Sequence, residues 1–512
     1  MLQEHIDPEE VISEAQKSVF GRSHAHIHAT AFAARYSTQD VPKFTLPEDG
    51  EQPVVAYRIV HDELEMDGRP IAVRGQVFLT TWMEPECEKL IKECLPKNFA
   101  DMEEYPSTRV IHERCISILA DLWHAPKGKG TCAIGTAVVG SSEGVLLAGL
   151  AMKWHWRNRM RAAGKDTSNP NIVFGHNVQV AEEKFARYFD VEPRRVPVSA
   201  ESRYCMDPDA AVSLIDENTI GVIAILGSTY TGHYEAVEVL SKRLDELHKN
   251  TGIDVPIHVD AASGGFIAPF VTPNLRWDFK LPRVVSINAS GHKFGLVYPG
   301  LGWVIWRNKE VLPSDLIFEL HYLGGKDYTF TLNFSRASAL MVAQYYNFLR
   351  LGRSGYTNIG RSCMDNARLL ASALEHTKYF RVVSDTLTRA KSGVCDMAGY
   401  VPCLPLVAFY ITDEARKDYP HLKEESLAVL LSSRGWLLPA YELPPACQET
   451  SILRVVVRER LTRDLVDQLV ADAIWALERA REFGAAITPG VPIGRLGPPE
   501  PQEYQGGYAR PC

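Results

Sequence analysis

The sequence lacks long apolar runs and an excess of positive charge. No stretch of ~18 uncharged apolar residues is present, so the sequence predicts no membrane-spanning helix. The 55 Lys and Arg residues are outnumbered by 63 Asp and Glu residues, which gives a net charge of −8. A general nucleic-acid binder needs a basic footprint that displaces counterions, and this charge balance argues against one.

Cysteine is also scarce and irregularly spaced. The ten cysteines of the 512-residue chain include no C-x-x-C pair, which is typical of scattered reduced thiols. The amino-terminal segment is acidic and has no apolar core, so it resembles neither a secretory signal nor an Arg-rich transit peptide. These features together predict a cytoplasmic protein. The hydrophobic fraction of 46% is ordinary for a globular chain with a large core.

The pattern along the chain predicts two folded domains, with an N-terminal arm before them and a disordered tail after them. Residues 1–73 are interpreted as an N-terminal arm, and residues 74–363 alternate between β-branched runs and helical patterns, as in an α/β domain. Residues 364–488 combine a helical pattern, short strands and a long closing helix, which is typical of a smaller α+β domain. Residues 489–512 hold six prolines and five glycines and predict a disordered tail. The tail has only two basic residues, which makes it a poor candidate for a calmodulin-binding helix.

Within the α/β region, strand and helix patterns alternate closely. The run NTIGVIAILG at 218–227 is continuously apolar, as in a strand buried on both faces. An amphipathic pattern follows and is closed by Gly252, and the run VPIHVDAA at 255–262 predicts the next strand. A third strand is predicted within 283–293. Strand, helix and strand in this order predict a mostly parallel sheet covered by helices.

The arm contains His24, His26 and His28 at alternate positions, which a strand would present on one face. Three imidazoles on one face are able to bind zinc. No cysteine or carboxylate nearby completes such a site, so the sequence favours histidines that form local hydrogen bonds, and no metal is predicted.

Lys293 follows the third of these strands, in the segment NASGHKFG. Residues just past the carboxyl end of a parallel strand face the crevice where α/β folds bind ligands. Desolvation lowers the pKa of a lysine and makes its amine nucleophilic, which suits a Schiff base. A surface lysine in a glycine-containing turn is an equally good interpretation of this segment alone.

Asp260 ends the strand VPIHVD and precedes small residues. A carboxylate placed against a pyridine nitrogen keeps that nitrogen protonated, as the chemistry of pyridoxal phosphate requires. The alternative is an ordinary turn aspartate.

Ser141 and Ser142 lie in GSSEG between a strand-like and a helix-like run, where backbone amides and hydroxyls form a phosphate cradle. An ordinary serine N-cap fits this pattern equally well. Together with Lys293 and Asp260, these serines supply the three contacts that pyridoxal phosphate needs: a phosphate cradle, a ring-nitrogen carboxylate and an aldehyde-binding lysine.

Longer motifs carry a resemblance to a known family. The segments HVDAASGGFIAPF (258–270), INASGHKFGLVYPGLGWVIWR (287–307), GSSEG and NFSR resemble those of the pyridoxal phosphate-dependent glutamate decarboxylases of bacteria, fungi and plants. The likeness extends from about residue 50 to 475. It implies a fold-type I α/β enzyme with a mostly parallel large-domain sheet and a smaller α+β domain. It also implies a homodimer or a hexamer built from dimers, with the active site at the dimer interface, and the decarboxylation of glutamate to 4-aminobutyrate and CO₂.

The resemblance implies roles for residues around the cofactor. Lys293 would bind the cofactor aldehyde as a Schiff base, Asp260 would pair with the ring nitrogen, and Gln179 would stack on the ring. Ser335, in NFSR, would reach the phosphate of the adjacent subunit. The other cofactor neighbours that it implies are Ser141, Ser142, Thr229, Ala262, Ser290 and His292.

The resemblance also implies the residues that meet the substrate. Arg454 would hold the α-carboxylate, and Tyr322 would close over the site and assist protonation of the product. In the family, a hydroxyl residue followed by Phe, an Asn and an Asp recognise the distal carboxylate. The matching positions here are Val77, Phe78, Asn98 and Asp101.

Val77 departs from this pattern, because valine is nearly isosteric with threonine but lacks the hydroxyl. Losing one hydrogen bond to a charged group costs about 1.5–3 kcal/mol. Retained glutamate activity is the first expectation, and a related acid such as an ibotenate- or cysteate-like substrate is the alternative. A pyridoxal enzyme that breaks another bond and a catalytically silent paralogue are further alternatives, and the presence of Lys293 and Asp260 argues against the second.

Overall fold

A seven-stranded sheet forms the centre of the fold. The computed structural model describes residues 11, 14–15, 46–65, 67, 78–101, 103–128, 133–320, 327–391, 393–417, 419 and 421–483. The strands of the sheet are β1 (Ile134–Val138), β2 (Asn171–Gly175), β3 (Glu192–Val196), β4 (Thr219–Ile225), β5 (Ile257–Asp260), β6 (Val284–Ala289) and β7 (Gly302–Trp306). Their order is β1-β7-β6-β5-β4-β2-β3.

The direction of the strands determines which loops meet at one edge. The pairs β2–β3, β2–β4, β4–β5 and β5–β6 are parallel, whereas β7 runs antiparallel to both β6 and β1. Strands β1 to β6 therefore all point the same way, and only β7 is reversed. The continuous apolar runs of β4 and β5 are buried at every position, as expected for strands covered on both faces. The predicted, mostly parallel sheet is confirmed.

Helices cover the sheet and connect its strands. The α-helices are α1 (Pro53–Leu64), α2 (Pro85–Cys94), α3 (Pro106–Leu122), α4 (Ser141–Ala162), α5 (Val180–Tyr188), α6 (Pro208–Ser213), α7 (Val237–Thr251), α8 (Ala268–Val271), α9 (Ala339–His376), α10 (Asp413–Arg416), α11 (Glu424–Ser433) and α12 (Arg463–Phe483). The predicted end of α7 is confirmed: Gly252 follows it with φ 77°, a left-handed conformation that glycine adopts without strain.

A smaller antiparallel sheet follows the large one along the chain. Its strands are β10 (Phe380–Val382), β11 (Leu406–Ile411), β12 (Ala440–Glu442) and β13 (Ser451–Val456), in the order β10-β11-β13-β12. A two-stranded hairpin, β8 (Phe318–Leu320) and β9 (Asp327–Thr329), lies between the two sheets in sequence. The short strands and the long closing helix predicted for this part of the chain are confirmed by β11, β13 and α12.

The helical pattern that begins near Met364 belongs to a longer helix than the sequence predicts. Helix α9 begins at Ala339 and continues past a non-helical residue, Gly352 (φ 56°, ψ −169°), to His376. It therefore crosses the predicted boundary between residues 363 and 364, and the domain bounds stay a prediction.

The chain divides into two units, Met1–Ala72 and Val73–Cys512. The first unit contains helix α1. The histidine triplet at 24–28 and the Pro/Gly-rich tail at 489–512 lie outside the described residues. Within the described part of the chain, no helix combines the length and apolar character needed to cross a membrane.

A half-buried histidine anchors the first strand of the sheet to helix α3. The ring of His112 lies 4.9 Å from that of Phe99 and 6.1 Å from that of Trp303, centroid to centroid. Its Nε2 accepts a hydrogen bond from the backbone N–H of Ala137 on β1 at 3.0 Å. Burial, assisted by the charge of Arg336, lowers the pKa of His112 to about 3. The ring therefore stays neutral in the folded protein under ordinary conditions.

This histidine is expected to destabilise the protein in mild acid. Below its ordinary pKa of 6.5 the unfolded chain binds a proton that the folded chain refuses, so stability falls as pH drops from about 6.5 towards 3. At about 1.4 kcal/mol per pH unit, the loss reaches roughly 2–3 kcal/mol by pH ~4.5. In His112→Gln the side-chain oxygen still accepts the Ala137 N–H, and urea unfolding across this range should show a shallower loss.

The exposed His248 provides the control for this experiment. We expect His248→Gln to keep the pH dependence of the wild-type free energy of unfolding. A His112→Gln variant with an equally steep acid loss would contradict the assignment.

Candidate active site

The site lies where five parallel strands end. Gly140 follows β1, Gln179 follows β2, Thr229 follows β4, Asp260 ends β5 and Lys293 follows β6, and all five line one cavity. Because the carboxyl ends of these strands share one edge of the sheet, residues that are far apart in sequence converge there. The other predicted residues that line this cavity are Ser141, Ser142, Ala262, Ser290 and His292.

Helix α4 begins at the cavity. Gly140 occupies its N-cap position and no side chain caps the helix, so the ordinary serine N-cap interpretation is wrong. The Ser141 hydroxyl instead lies 2.7 Å from the Ser290 hydroxyl. The N-terminus of a 22-residue helix carries partial positive charge and free amides. Together these groups form an anion-binding corner.

Small residues allow helix α4 to approach the sheet closely enough to form this corner. A Cβ placed on Gly144 would lie 2.9 Å from the Asn288 Cβ, and one on Gly302 would lie 2.6 Å from the Gly140 carbonyl carbon. Both distances are shorter than normal contacts, so larger residues would push the helix away from the strands. The glycine in GSSEG that follows the two serines therefore has a packing function.

Asp260 lines the same cavity and is held by hydrogen bonds. It is 6% exposed, and its Oδ1 accepts hydrogen bonds from the backbone N–H of Ala262 at 3.0 Å and from Nδ2 of Asn288 at 2.7 Å. The Asn288 amide is oriented in turn by His258, whose Nε2 lies 2.7 Å from its Oδ1. The His258 Nδ1 lies 2.8 Å from the Ser286 hydroxyl.

Sequence reasoning missed this supporting row of side chains. Burial lowers the pKa of His258 to about 4, so the ring stays neutral, donates from Nε2 to Asn288 and accepts from Ser286 at Nδ1. The alternation in IHVD and VSIN places His258, Ser286 and Asn288 at neighbouring register positions of β5 and β6. Alternating polar residues in two otherwise apolar strands were the signal available in the sequence.

Lys293 also lines the cavity, and an aromatic ring lies beside its side chain. Its Nζ lies 3.5 Å from the Ser263 hydroxyl and 5.1 Å from the Phe78 ring centroid. Its backbone carbonyl accepts a hydrogen bond from the Thr80 hydroxyl at 2.9 Å, and Nη2 of Arg458 donates to the same hydroxyl at 2.9 Å. Thr80 and Arg458 therefore hold the turn that contains Lys293, called the lysine turn below. The sequence predicted a role for neither residue.

His292 closes the cavity on the side of helix α4. A Cβ on Gly140 would lie 3.1 Å from the His292 Cε1, so the ring sits directly beside the anion-binding corner. Burial, followed by the charge of Lys293, lowers the pKa of His292 to about 4. The ring is therefore neutral beside the lysine.

Arg454 lies on strand β13 and contacts Thr229, one of the residues that line the cavity. It is 9% exposed, and its Nη1 donates to the Thr229 carbonyl at 2.9 Å. Its guanidinium carbon lies 4.9 Å from the Phe78 ring centroid and 5.5 Å from that of Tyr441. The smaller sheet thus brings a cation to the predicted substrate side, next to Phe78.

Three predicted residues form a separate cluster that does not line the cavity within one chain. The Asn98 Nδ2 lies 3.3 Å from the exposed Ser335 hydroxyl, and its Oδ1 accepts the Arg336 N–H at 3.2 Å. Asp101 follows in the same loop and accepts the Glu104 N–H at 3.0 Å. Val77 and Tyr322 lie outside the described residues, so their predicted roles stay predictions.

A second buried acid lies near Asp260. Glu235 is 6% exposed and accepts three hydrogen bonds: from Asn177 Nδ2 at 2.9 Å, from Met206 N–H at 3.1 Å and from Ile225 N–H at 2.8 Å. Burial outweighs these donors and raises the pKa of Glu235 to about 7. This residue, which the sequence analysis did not single out, ties the loops after β2 and β4 together.

The residues of the cavity fit pyridoxal phosphate. The hydroxyls and helix amides suit a phosphate, the Asp260 carboxylate suits a pyridinium, and the Lys293 amine suits an aldehyde. A mostly parallel sheet with this site at its carboxyl edge and a smaller antiparallel domain defines a fold-type I pyridoxal phosphate enzyme.

Comparison with known proteins specifies the class. Residues 68–395 match the pyridoxal-dependent decarboxylase conserved domain. The chain therefore belongs to the pyridoxal-dependent decarboxylases, and its cofactor is pyridoxal phosphate. Within that family, its relatives include curated glutamate decarboxylases.

The relatives span most of the chain. Glutamate decarboxylase of Petunia hybrida is 49% identical over 451 residues, covering 88% of this chain and 86% of that protein. The enzyme of Aliivibrio fischeri is 45% identical and covers 86% and 92%. The solved structure of Lactobacillus brevis glutamate decarboxylase matches with a TM-score of 0.80 at 39% identity, covering 87% and 97%.

Proposed function

We propose that this protein removes the α-carboxylate of L-glutamate as CO₂ and releases 4-aminobutyrate. The observation that carries the proposal is the convergence of Lys293, Asp260 and the serine corner in one cavity. The identity of 45–49% to curated glutamate decarboxylases supports the choice of substrate. One proton is consumed for each CO₂ released.

Each residue in the cavity has a role in this proposal. Lys293 would hold the cofactor aldehyde through its side-chain amine. Ser141, Ser142 and Ser290 would hold the phosphate, and Asp260 would keep the ring nitrogen protonated. When bound, the cofactor ring accepts the electron pair that the departing carboxylate leaves behind.

Arg454 is proposed to hold the α-carboxylate of the substrate and so to determine which bond at Cα faces the ring. We expect Arg454→Gln to lower kcat/KM for glutamate by at least about 30-fold, because the variant loses a charge-assisted contact in a poorly solvated site. Steady-state kinetics of the holoenzyme measure the effect. The same change at Arg434, which is exposed and pairs with Asp472 at 3.5 Å, should leave kcat/KM unchanged. Equal kinetic constants for the two variants would show that Arg454 does not hold the substrate.

The distal carboxylate is proposed to meet Phe78 and the Asn98–Asp101 loop, with Val77 in place of the family's hydroxyl residue.

We propose that Gln179 stacks on the cofactor ring and that Thr229, Ala262 and His292 border it. Tyr322 is proposed to cover the site and to assist protonation of the product.

A homo-oligomer with the site at its interface is part of the proposal. Ser335 lies apart from the cavity of its own chain and is exposed, so it is available to a neighbouring subunit. Leu332 and Phe334, which precede Ser335 in the same loop, are 49% and 40% exposed. Apolar side chains grouped at a surface favour a protein contact.

A cytoplasmic location and the division into an arm, a large domain and a small domain at the predicted bounds are also proposed. The eight cysteines in the described part of the chain are all unpaired, which supports a reducing compartment.

The test is CO₂ release from L-glutamate by purified protein whose absorbance spectrum shows bound cofactor. Stoichiometric 4-aminobutyrate would support the proposal and make Val77 a tolerated variation. Cofactor-loaded protein that releases no CO₂ would overturn glutamate as the substrate. An ibotenate- or cysteate-like acid would then be the next candidate to assay.

A further inference from the structure

Glu182 is a buried acidic residue next to Ala181, which lines the active-site cavity. It lies in the first turn of helix α5, three residues after Gln179, and its residue exposure is 0%. The helix presents its amphipathic face inward there, beside Ala181 and Phe185, both nearly or fully buried. A fully buried carboxyl group is costly unless it is neutral or well paired.

No conventional partner satisfies this carboxyl. Among the described residues, neither oxygen of Glu182 meets a hydrogen-bond donor at good geometry. The groups that act on it are its own backbone amide, the carboxyl of Asp260 and, electrostatically, Lys293. Asp260 is therefore the neighbouring carboxyl group that acts on Glu182, and both groups only accept hydrogen bonds when ionised. Two neighbouring carboxyl groups in a poorly solvated site favour a state with one proton between them, because two negative charges there repel each other.

The surroundings indicate which of the two carries the proton. Asp260 already receives two donors, from Ala262 and Asn288, and these stabilise a negative charge on it. Among the described residues, no comparable hydrogen-bond donor meets the Glu182 carboxyl, and the residue is not exposed to solvent. Desolvation, followed by the charge of Asp260, raises the pKa of Glu182 well above its ordinary value.

We propose that Glu182 is a neutral carboxylic acid that donates a hydrogen bond to the Asp260 carboxylate and so orients and stabilises it in its ionised form. Glu182 is a positioning residue, because it acts on the cofactor only through Asp260. The proposal rests on the proposed pairing of Asp260 with the ring nitrogen. Its consequence is that Asp260 has three donors around it, from Ala262, Asn288 and Glu182, before the cofactor binds.

The neighbouring ionisable groups are consistent with this assignment. Glu235 lies beyond Asp260 and already accepts three donors, so its hydrogen bonds are satisfied without Glu182. His258 is neutral and is occupied by Ser286 and Asn288. Lys293 is the cation that acts on Glu182, and Schiff-base formation with the cofactor engages its amine.

Infrared spectroscopy of the full-length holoenzyme tests the proton. At about pH 8, above the pKa of about 7 of Glu235, the C=O stretch of a protonated carboxylic acid should be present in the wild type and absent from Glu182→Gln. Glu183→Gln is the matched control, since Glu183 is partly exposed and lies 2.7 Å from Arg195 in an ion pair. It should retain the band. A wild-type spectrum without the band, or a band that survives in Glu182→Gln, overturns the proposal.

Cofactor affinity tests the hydrogen bond. The Gln side chain keeps a donor for Asp260, whereas Met has a similar volume and none. We expect the dissociation constant for pyridoxal phosphate to stay within about threefold in Glu182→Gln and to rise on the order of tenfold or more in Glu182→Met. Equal values in the two variants would mean that Glu182 only fills space and would overturn the proposal.

The two readouts distinguish failure of this inference from failure of the proposed function. The infrared band reports the proton on Glu182 whatever the substrate is. Wild-type protein that binds the cofactor and shows the band but does not decarboxylate glutamate would overturn the substrate and leave the role of Glu182 intact.

Discussion

Replacing Lys293 with alanine is expected to reduce the rate of decarboxylation on the order of 10³-fold or more, because the variant loses the amine that binds the cofactor aldehyde and displaces the product. The turn that contains residue 293 should keep its conformation. It is held by the hydrogen bond from the Thr80 hydroxyl to the backbone carbonyl of residue 293, which does not involve the lysine side chain. Single-turnover measurements on the purified variant would give the residual rate. Borohydride reduction should attach the cofactor covalently to the wild type and not to the variant.

Lys280 provides the matched control, because it is exposed and does not line the cavity. Lys280→Ala should keep wild-type turnover and covalent labelling. Full activity of Lys293→Ala would disprove the assignment of the cofactor site, whatever the substrate.

Asp260→Asn is expected to lower kcat by about 10³-fold, comparable to the effect of other charge-removing substitutions that preserve geometry at catalytic centres. The asparagine oxygen can still accept the bonds from Ala262 and Asn288, so the loop should keep its conformation. What is lost is the charge that keeps a pyridine nitrogen protonated. The effect should therefore fall on kcat more than on KM, which steady-state kinetics at saturating cofactor would show.

The exposed Asp245, which pairs with Arg283 on the surface, is the control for this substitution. Asp245→Asn should leave both constants unchanged. An Asp260→Asn enzyme with wild-type kcat would mean that the ring nitrogen does not depend on this carboxylate.

Local sequence patterns predicted the elements that carry the site. Continuous apolar runs identified β4 and β5, because strands buried on both faces cannot alternate polar and apolar residues. The position of Lys293 and Asp260 just at or past the ends of such strands indicated the ligand-binding edge. Helix α9 is longer than the pattern near Met364 predicts, because it begins at Ala339 and continues past the non-helical Gly352.

The contacts that tune the site required the structure. Glu182 and Asp260 are 78 positions apart and belong to different elements, so only the packing of α5 against the sheet brings their carboxyls together. Thr80 and Arg458 meet at the lysine turn from opposite ends of the chain. The single chain also places Asn98 and Ser335 together and away from the cavity, an arrangement that the motifs did not indicate.

The sequence by itself determined the chemistry: a lysine, a carboxylate and a hydroxyl-bearing helix start, each at the end of a predicted strand, because these are local features that short segments encode. Only the tertiary structure decided their environment. Burial, proton sharing and hydrogen-bond order depend on which distant side chains exclude water from a group, and that is a property of packing in three dimensions. The neutral state of His292 and the contact of Glu182 with Asp260 are of this second kind.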